Sequence, residues 1–149
     1  MITIKRISIL GRVAIGIECL ELMIEPKYKT EVFDFITSFL WEFVENENIV
    51  IVDWEEISAE ITPDSILNTP YSDTDFELIG EEKYNNLSIF YSKIGKDCCM
   101  VIDKIVDIAS LHFYTIIPSY SSETYKLTKE VLSLCEDKIG YIPNMRIRS

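Results

Sequence analysis

A chain of 149 residues with 48% hydrophobic and 26% charged residues has the balance of a globular protein, which excludes intrinsic disorder and predicts a single domain over residues 1–149. No apolar run reaches the roughly 18–20 residues that cross a bilayer, and the N-terminus lacks the small-residue cleavage site of a signal peptide. A net charge of −11 makes nucleic acid and anionic membranes poor direct ligands, because phosphate contacts require lysine and arginine on one face.

Two amphipathic helices are predicted in the first third of the chain. In residues 7–24, apolar side chains recur at three- and four-residue spacing, which is typical of a helix with one buried face. Pro26 ends this helix, because the residue before a proline is kept out of the helical conformation. A wide apolar stripe over residues 28–47 predicts the second helix, and the two should form a hairpin.

Residues 49–52 are Ile-Val-Ile-Val, a β-branched run that fits either a short strand or a buried connection. One strand cannot stabilise itself, so the strand hypothesis needs a partner. The candidate is residues 1–4, which would give a minor β pairing near the N-terminus.

The next segment begins with a predicted short helix and continues as a loop. Thr62-Pro63-Asp64 combines a capping hydroxyl, proline at the first helical position and an acid near the positive end of the helix dipole. Residues 68–82 are rich in turn formers and acids, which indicates a long loop, either functional or mobile. Residues 84–94 are ambiguous between helix and other structure.

Two more helices complete the predicted fold. Residues 96–114 carry a helical apolar stripe, and a last helix capped by Ser121 or Ser122 runs to Lys138, with Gly140 as its C-terminal cap. The fold class is therefore mainly α, a bundle of about four long helices plus one or two short ones.

The candidates for metal binding and catalysis are few. The four cysteines are Cys19, Cys98, Cys99 and Cys135. They form no C-x-x-C pair and no disulfide framework, so a reducing cytoplasm fits best. His112 is the only histidine and has no identifiable orienting acid beyond Asp107. We predict no metal site and no catalytic residue.

Glycine loops and paired carboxylates give no further site. No glycine-rich phosphate-binding motif is present, so no nucleotide cofactor is expected. A calcium loop beginning at Asp73 would have Leu78 and Tyr84 where glycine and the bidentate acid belong. Two pairs of acids share a helix face at three- or four-residue spacing, and we interpret them as solvated faces. These pairs are Glu18 with Glu21 and Asp103 with Asp107.

The negative charge is concentrated in the middle of the chain. Residues 30–82 hold 15 acidic residues and no lysine or arginine, whereas the remainder holds 10 acids and all 14 basic residues. A field of one sign favours association with a partner of the opposite sign. We therefore predict a surface that binds a basic protein, although acids also serve solubility alone.

Two short segments inside this span combine aromatic and acidic side chains, as interface hot spots do. The predicted partner-binding residues are Asp53, Trp54, Glu55, Glu56, Tyr71, Asp73, Asp75 and Glu77. Trp54 and Tyr71 are the candidate aromatic anchors. The alternative is that Trp54 and Phe76 fill the core while the acids face water.

The sequence Gly11-Arg12-Val13-Ala14-Ile15-Gly16-Ile17-Glu18-Cys19-Leu20-Glu21, then a proline, then a second helix with Leu40-Trp41-Glu42-Phe43-Val44-Glu45 resembles small, mostly helical immunity proteins of bacterial polymorphic toxin systems. The likeness covers about half the chain. It implies a cytoplasmic protein that binds the C-terminal toxin domain of a cognate effector and neutralises it, often by covering the active site. Many such toxins are nucleases with basic clefts, which an acidic surface can occupy.

Two other functions are open. One is a small helical ligand-binding protein or enzyme with a site inside the bundle, lined by residues such as Tyr114, His112 and Cys99. The other is a scaffold subunit that associates with itself through its aromatic surface.

Overall fold

The computed structural model describes residues 8–114 and 122–143, and this part of the chain is mainly helical. It forms six helices of eleven or more residues, one helix of five and two single turns of 3₁₀ helix. The helices are α1 (Ile9–Met23), α2 (Glu31–Glu45), α3 (Ile51–Ile61), α4 (Pro63–Leu67), α5 (Glu81–Ile94), α6 (Lys96–Tyr114) and α7 (Ser122–Ile139), and the 3₁₀ turns are Pro26–Tyr28 and Tyr71–Asp73. The mainly α prediction is confirmed, with two more sizeable helices than expected.

Helices α1, α6 and α7 pack against one another and form the densest part of the core. Side chains from all three are fully buried, among them Ile17, Ile108 and Val131. At Gly16 the backbone of α1 lies against the side chain of Ile105 on α6, because a Cβ atom there would lie 2.7 Å from Cγ1 of Ile105. The missing side chain of Gly16 therefore sets the distance between these helices.

Neither interpretation of residues 49–52 is correct. The segment is not a strand, because α3 begins at Ile51, and it is not a buried connection, because Val50, Ile51 and Val52 are exposed. A helix from this point places Trp54, Ser58 and Ile61 on one buried face at helical spacing, which a strand would not do. No strand is found in the two described ranges. Residues 1–4, the candidate strand partner, lie outside the described residues.

Residues 81–94 form α5 and so resolve the ambiguity of this segment. Tyr84, Leu87, Tyr91 and Ile94 follow one another at spacings of three and four residues and are all buried. They pack this helix against α4 and α6. The segment is therefore an amphipathic helix with many polar residues on its outer face.

The predicted start of α4 and the predicted C-terminal cap of α7 are confirmed, whereas Ser121, one of the two predicted N-terminal caps of α7, lies outside the described residues. The hydroxyl of Thr62 accepts a hydrogen bond from Ser65 N at 3.4 Å, and Pro63 is the first residue of α4. Gly140 has φ +85° and donates its N–H to the carbonyl of Glu136 at 2.8 Å. A positive φ at this position favours glycine, as expected for a C-terminal cap. Across the described residues, no helix has the length and apolar character needed to traverse a bilayer.

Candidate protein-binding surface

The acids predicted to bind a partner lie on α3 and on the loop that precedes α5. Asp53 and Glu56 are exposed, and Glu55 on the same helix is half-buried. The other exposed acids of the set are Asp73, Asp75 and Glu77. Apart from the half-buried Glu55, these carboxylates are accessible to a partner.

The side chain of Glu60 connects the two acidic segments. Its carboxylate accepts hydrogen bonds from the backbone N–H groups of Glu77, Leu78 and Ile79, at 3.0–3.2 Å. Glu60 lies one helical turn after Glu56, so the bonds hold the acidic loop beside α3. Glu60 was not among the predicted site residues, and nothing in the sequence distinguishes it from the other acids on α3.

Trp54 does not lie on this surface, and its assignment as an exposed anchor is wrong. Only 3% of the residue is exposed, and its ring stacks on Phe39 with centroids 4.7 Å apart and planes 9° apart. The indole Nε1–H donates to the carbonyl oxygen of Phe39 at 3.0 Å. The ring thus has both apolar contacts and a polar partner inside the protein, as the alternative interpretation expected.

Tyr71 and Phe76 are both half-buried and pack around Tyr84. The rings of Tyr71 and Tyr84 meet edge to face at 5.5 Å, and the ring of Phe76 lies 6.2 Å from that of Tyr84. Tyr84 in turn donates its hydroxyl to the carbonyl oxygen of Ile66 at 2.9 Å. Tyr71 therefore packs the acidic loop against Tyr84 of α5, and only part of its side chain is accessible to a partner.

A cleft of about 570 Å³ opens between α3, α4 and α6. Four carboxylates line it, those of Glu55, Asp64, Asp103 and Asp107. The other lining residues are Ser58, Ala59, Thr62, Val106 and Ser110. The N–H of Asp64 donates to Oδ1 of Asp103 at 3.2 Å, which links the start of α4 to α6. Glu55 is the residue that this cleft shares with the predicted binding set.

Of the four carboxylates of the cleft, those of Glu55 and Asp103 are half-buried, whereas those of Asp64 and Asp107 are exposed. Burial raises the pKa of Asp103 to about 6, and the charges of Asp64 and Asp107 act in the same direction. The hydrogen bond from Asp64 and the charge of Lys104 oppose this shift. Desolvation also raises the pKa of Asp107, against the charge of Lys104.

The positive charge of Lys104 lowers the pKa of Asp103 and Asp107, but its ammonium group pairs with a residue outside the cleft. Its Nζ lies 2.7 Å from Oε2 of Glu130 on α7. Within the described part of the chain, no lysine or arginine nitrogen lies within salt-bridge distance of Asp64, Asp103 or Asp107. Asp103 and Asp107 both line the acidic cleft. Because Asp103 is half-buried, its interpretation as part of a solvated face is wrong, whereas the exposed Asp107 fits that interpretation.

The interior site considered as an alternative is only partly described. Cys99 is buried and donates its thiol to the carbonyl oxygen of Tyr91 at 3.4 Å. It lines a groove of about 380 Å³ on the other side of Asp103. The side chains of His112 and Tyr114 lie outside the described residues. Over residues whose side chains are described, no group of three or more potential ligands is placed to hold a metal ion.

No protein-family model, curated protein or solved structure matches this chain. The resemblance to immunity proteins therefore stays a prediction.

Proposed function

We propose that this protein is an immunity protein that binds a cognate, basic toxin domain through its acidic surface and thereby neutralises it. The observation that supports the proposal best is the position of α3. Its outer face carries Asp53 and Glu56, and its flank contributes Glu55 to a cleft with three further carboxylates. Because Glu55 lies on the same helix as Asp53 and Glu56, a basic partner that covers α3 can also reach the carboxylates of the cleft.

The partial desolvation of the cleft favours a cationic partner. A carboxylate in a low-dielectric environment interacts more strongly with an incoming positive charge than one in bulk water. The raised pKa of Asp103 reflects the unfavourable energy of its ionised form, which a lysine or arginine side chain would offset. Arginine suits the site because its planar group can bond two carboxylate oxygens at once.

The proposed protein acts in the cytoplasm, performs no catalysis and needs no cofactor. Four free, buried thiols are consistent with a reducing compartment. A toxin whose active site binds phosphate presents basic residues there. The acidic surface, once bound to these residues, would exclude the nucleic acid substrate and so neutralise the toxin.

The test is a binding titration against the C-terminal domain encoded by the adjacent gene, at increasing salt. We compare the wild type with Asp53→Asn/Glu56→Gln/Asp75→Asn and with Glu123→Gln/Glu136→Gln/Asp137→Asn. Both variants remove three exposed negative charges, the first from the proposed surface and the second from α7. Binding that weakens with salt and is lost only in the first variant is expected. Equal losses, or no binding by the wild type, would contradict the proposal.

A separate variant tests the cleft. Asp103→Asn keeps the oxygen that accepts from Asp64 and removes the charge, so we expect weaker toxin binding with the fold intact. Binding by the wild type should also tighten as the pH rises through about 6, where Asp103 ionises. Asp103→Asn should lose that part of the pH dependence. An unchanged affinity and an unchanged pH profile would remove the cleft from the proposed interface.

The size of the cleft supports a second candidate function, which is binding of a small ligand. Its volume of about 570 Å³ lies in the range of ligand sites, although such sites are mostly lined by apolar groups. Its carboxylates fit a polyamine or another organic cation. Thermal shift with spermidine, divalent metals and nucleotides distinguishes this function, because a ligand that binds only the native state raises the melting temperature.

A further inference from the structure

Three consecutive aliphatic side chains project from the start of α3. Val50 is 59% exposed, Ile51 43% and Val52 63%; we call these three residues the aliphatic ridge. Along the chain the ridge lies between Ile49, which is half-buried against the core, and Trp54, which is buried. Isolated exposed aliphatic residues are common, whereas exposed apolar patches mark interaction sites, and the three residues of the ridge follow one another directly in the chain.

The ridge also weakens the helix that carries it. Val50 occupies the N-cap position of α3, where its side chain makes no capping hydrogen bond. Valine is among the poorest residues for this position, whereas serine, threonine, asparagine and aspartate are preferred. The same protein uses such caps elsewhere, since Ser8 caps α1 and Thr62 caps α4. Neither solubility nor helix stability explains the choice of residues at the ridge.

Exposed acids surround the ridge in the sequence. Glu47 precedes it, and Asp53 and Glu56 follow it on the first turns of α3. The ridge lies inside residues 30–82, which contain no lysine or arginine. An apolar centre with a charged rim is the usual composition of a protein–protein interface.

We propose that the aliphatic ridge is the apolar centre of the acidic surface, and that it docks an apolar element framed by lysine and arginine on a basic protein. This inference rests on the proposed function and names the chemistry of the partner's contact patch. It assigns to the ridge the central contact that Trp54 cannot make. A second copy of this chain would bring two acidic rims together, and an anionic membrane would repel the same rim.

The decisive variant is Val50→Asn, because it separates stability from binding. Val50 already has extended backbone angles of φ −86° and ψ 105°, which suit an asparagine cap. We expect the melting temperature to rise and the affinity for the toxin domain to fall by about tenfold or more. A residue with a merely structural role would not change the two quantities in opposite directions. Ile89→Asn, at a 54% exposed aliphatic residue on α5, is the matched control and should leave the affinity unchanged.

A second probe tests the ridge without the toxin domain. It is a pair of synthetic peptides, one of lysine and leucine and one with serine in place of leucine. Methyl NMR of the wild type should show shifts at Val50, Ile51 and Val52 with the leucine peptide, and tighter binding of that peptide than of the serine peptide. Val50→Asn/Val52→Ser should abolish the difference between the two peptides, whereas Ile89→Asn should keep it.

The outcomes separate the ridge from the proposed function. Where the toxin domain binds, unchanged affinity in Val50→Asn/Val52→Ser overturns the ridge and leaves the acidic surface standing. If the toxin domain does not bind, the proposed function fails, and the two peptides then test whether the ridge is a docking site. Equal binding of both peptides would overturn that inference. A concentration-dependent dimer that Val50→Asn dissociates would assign the ridge to a second copy, and ridge-dependent binding to anionic vesicles would assign it to a membrane; either result overturns the inference.

Discussion

The layer of α1, α6 and α7 and the region of α2 to α5 are stabilised by different kinds of contact. In the layer, long helices meet through apolar faces and approach closely at Gly16 and Ile105. A polar link is also buried there, where the guanidinium of Arg12 donates to the hydroxyl of Thr124. In the region of α2 to α5, three of the four helices are shorter than any helix of the layer, and side chains bond to the backbone of neighbouring elements.

In the region of α2 to α5, several of these hydrogen bonds are accepted by carbonyl groups at the ends of helices. Tyr91 donates its hydroxyl to the carbonyl of Ile61 at the end of α3, and Tyr84 donates to the carbonyls of Ile66 and Thr69 at and beyond the end of α4. A helix leaves its last carbonyl groups without partners, and short helices have proportionally more of them. Polar side chains therefore complete the helix ends in the region of α2 to α5, whereas apolar contacts predominate between α1, α6 and α7, beside the buried bond of Arg12 to Thr124.

The largest expected effect comes from Trp54, which belongs to the second region but combines both kinds of contact. Trp54→Ala should lower the free energy of unfolding by about 3–5 kcal/mol, because it removes a buried ring. Trp54→Phe keeps a ring against Phe39 and loses the hydrogen bond, so a loss of about 1–3 kcal/mol is expected. Urea unfolding measures both. Equal losses in the two variants would mean that the hydrogen bond alone matters.

Glu60 tests the polar contacts directly. Glu60→Ala leaves the N–H groups of residues 77–79 without their acceptor and should lower the free energy of unfolding by about 1–3 kcal/mol. Hydrogen exchange at Leu78 and Ile79 should become faster at the same time. Glu56→Ala, one turn earlier on α3, is the control and should change stability by less than about 0.5 kcal/mol. If both variants behave alike, the loop is not held by Glu60.

Gly16 tests the close approach in the first layer. Gly16→Ala gains about 1 kcal/mol of helix propensity and forces a methyl group onto Ile105, which typically costs about 1–3 kcal/mol. We expect a net loss of up to about 2 kcal/mol. In a double-mutant cycle with Ile105→Ala, the two losses should not add, because the second change removes the clashing atom. Strict additivity would show that the helices tolerate a side chain at Gly16.

The smallest effect concerns Asp103 and depends on pH. Its pKa is raised in the folded protein from 3.8 to about 6, so the folded state holds the proton more tightly than the unfolded state. Stability from this group is present below about pH 4 and is lost as the pH rises through about 6. Asp103→Asn should therefore raise the melting temperature at pH 7 and match the wild type near pH 4. Asp75→Asn, on the exposed loop, is the control; a pH-independent difference for Asp103→Asn would contradict the assignment.

Much of the fold was predictable because the long helices have clear apolar stripes. Residues 96–114 were predicted with the observed bounds of α6, and the caps at Thr62 and Gly140 were predicted from residue type alone. The prediction failed at residues 49–52, where β-branched residues favour a strand locally and tertiary packing of Trp54 imposes a helix. The period of α5 was present in the sequence at Tyr84, Leu87, Tyr91 and Ile94 but is masked by the polar residues between them.

Less of the candidate site could be predicted. Charge along the chain located the acidic surface, but burial decides which of its residues are available, and burial depends on packing partners distant in sequence. Trp54 and the aliphatic ridge show this, since the aromatic residue turned inward and the aliphatic ones outward. The cleft joins Asp64 to Asp103, which are 39 residues apart, and the sequence offers no sign of that meeting.

The positions of the four thiols allow local opening of the folded protein to be followed by the rate of thiol labelling. Cys19, Cys98, Cys99 and Cys135 all lie on α1, α6 and α7, and all are buried. Burial raises the pKa of Cys99 to about 12, so little reactive thiolate forms in the closed state. A thiol-specific reagent will therefore react slowly with the closed state, and labelling will become faster when the packing around these thiols opens. Cys99 contacts the carbonyl of Tyr91 and lines the groove beside α4, so its labelling also reports opening of α4 and α5. Residues 20–97 contain no cysteine, so α2 and α3 carry no thiol of their own.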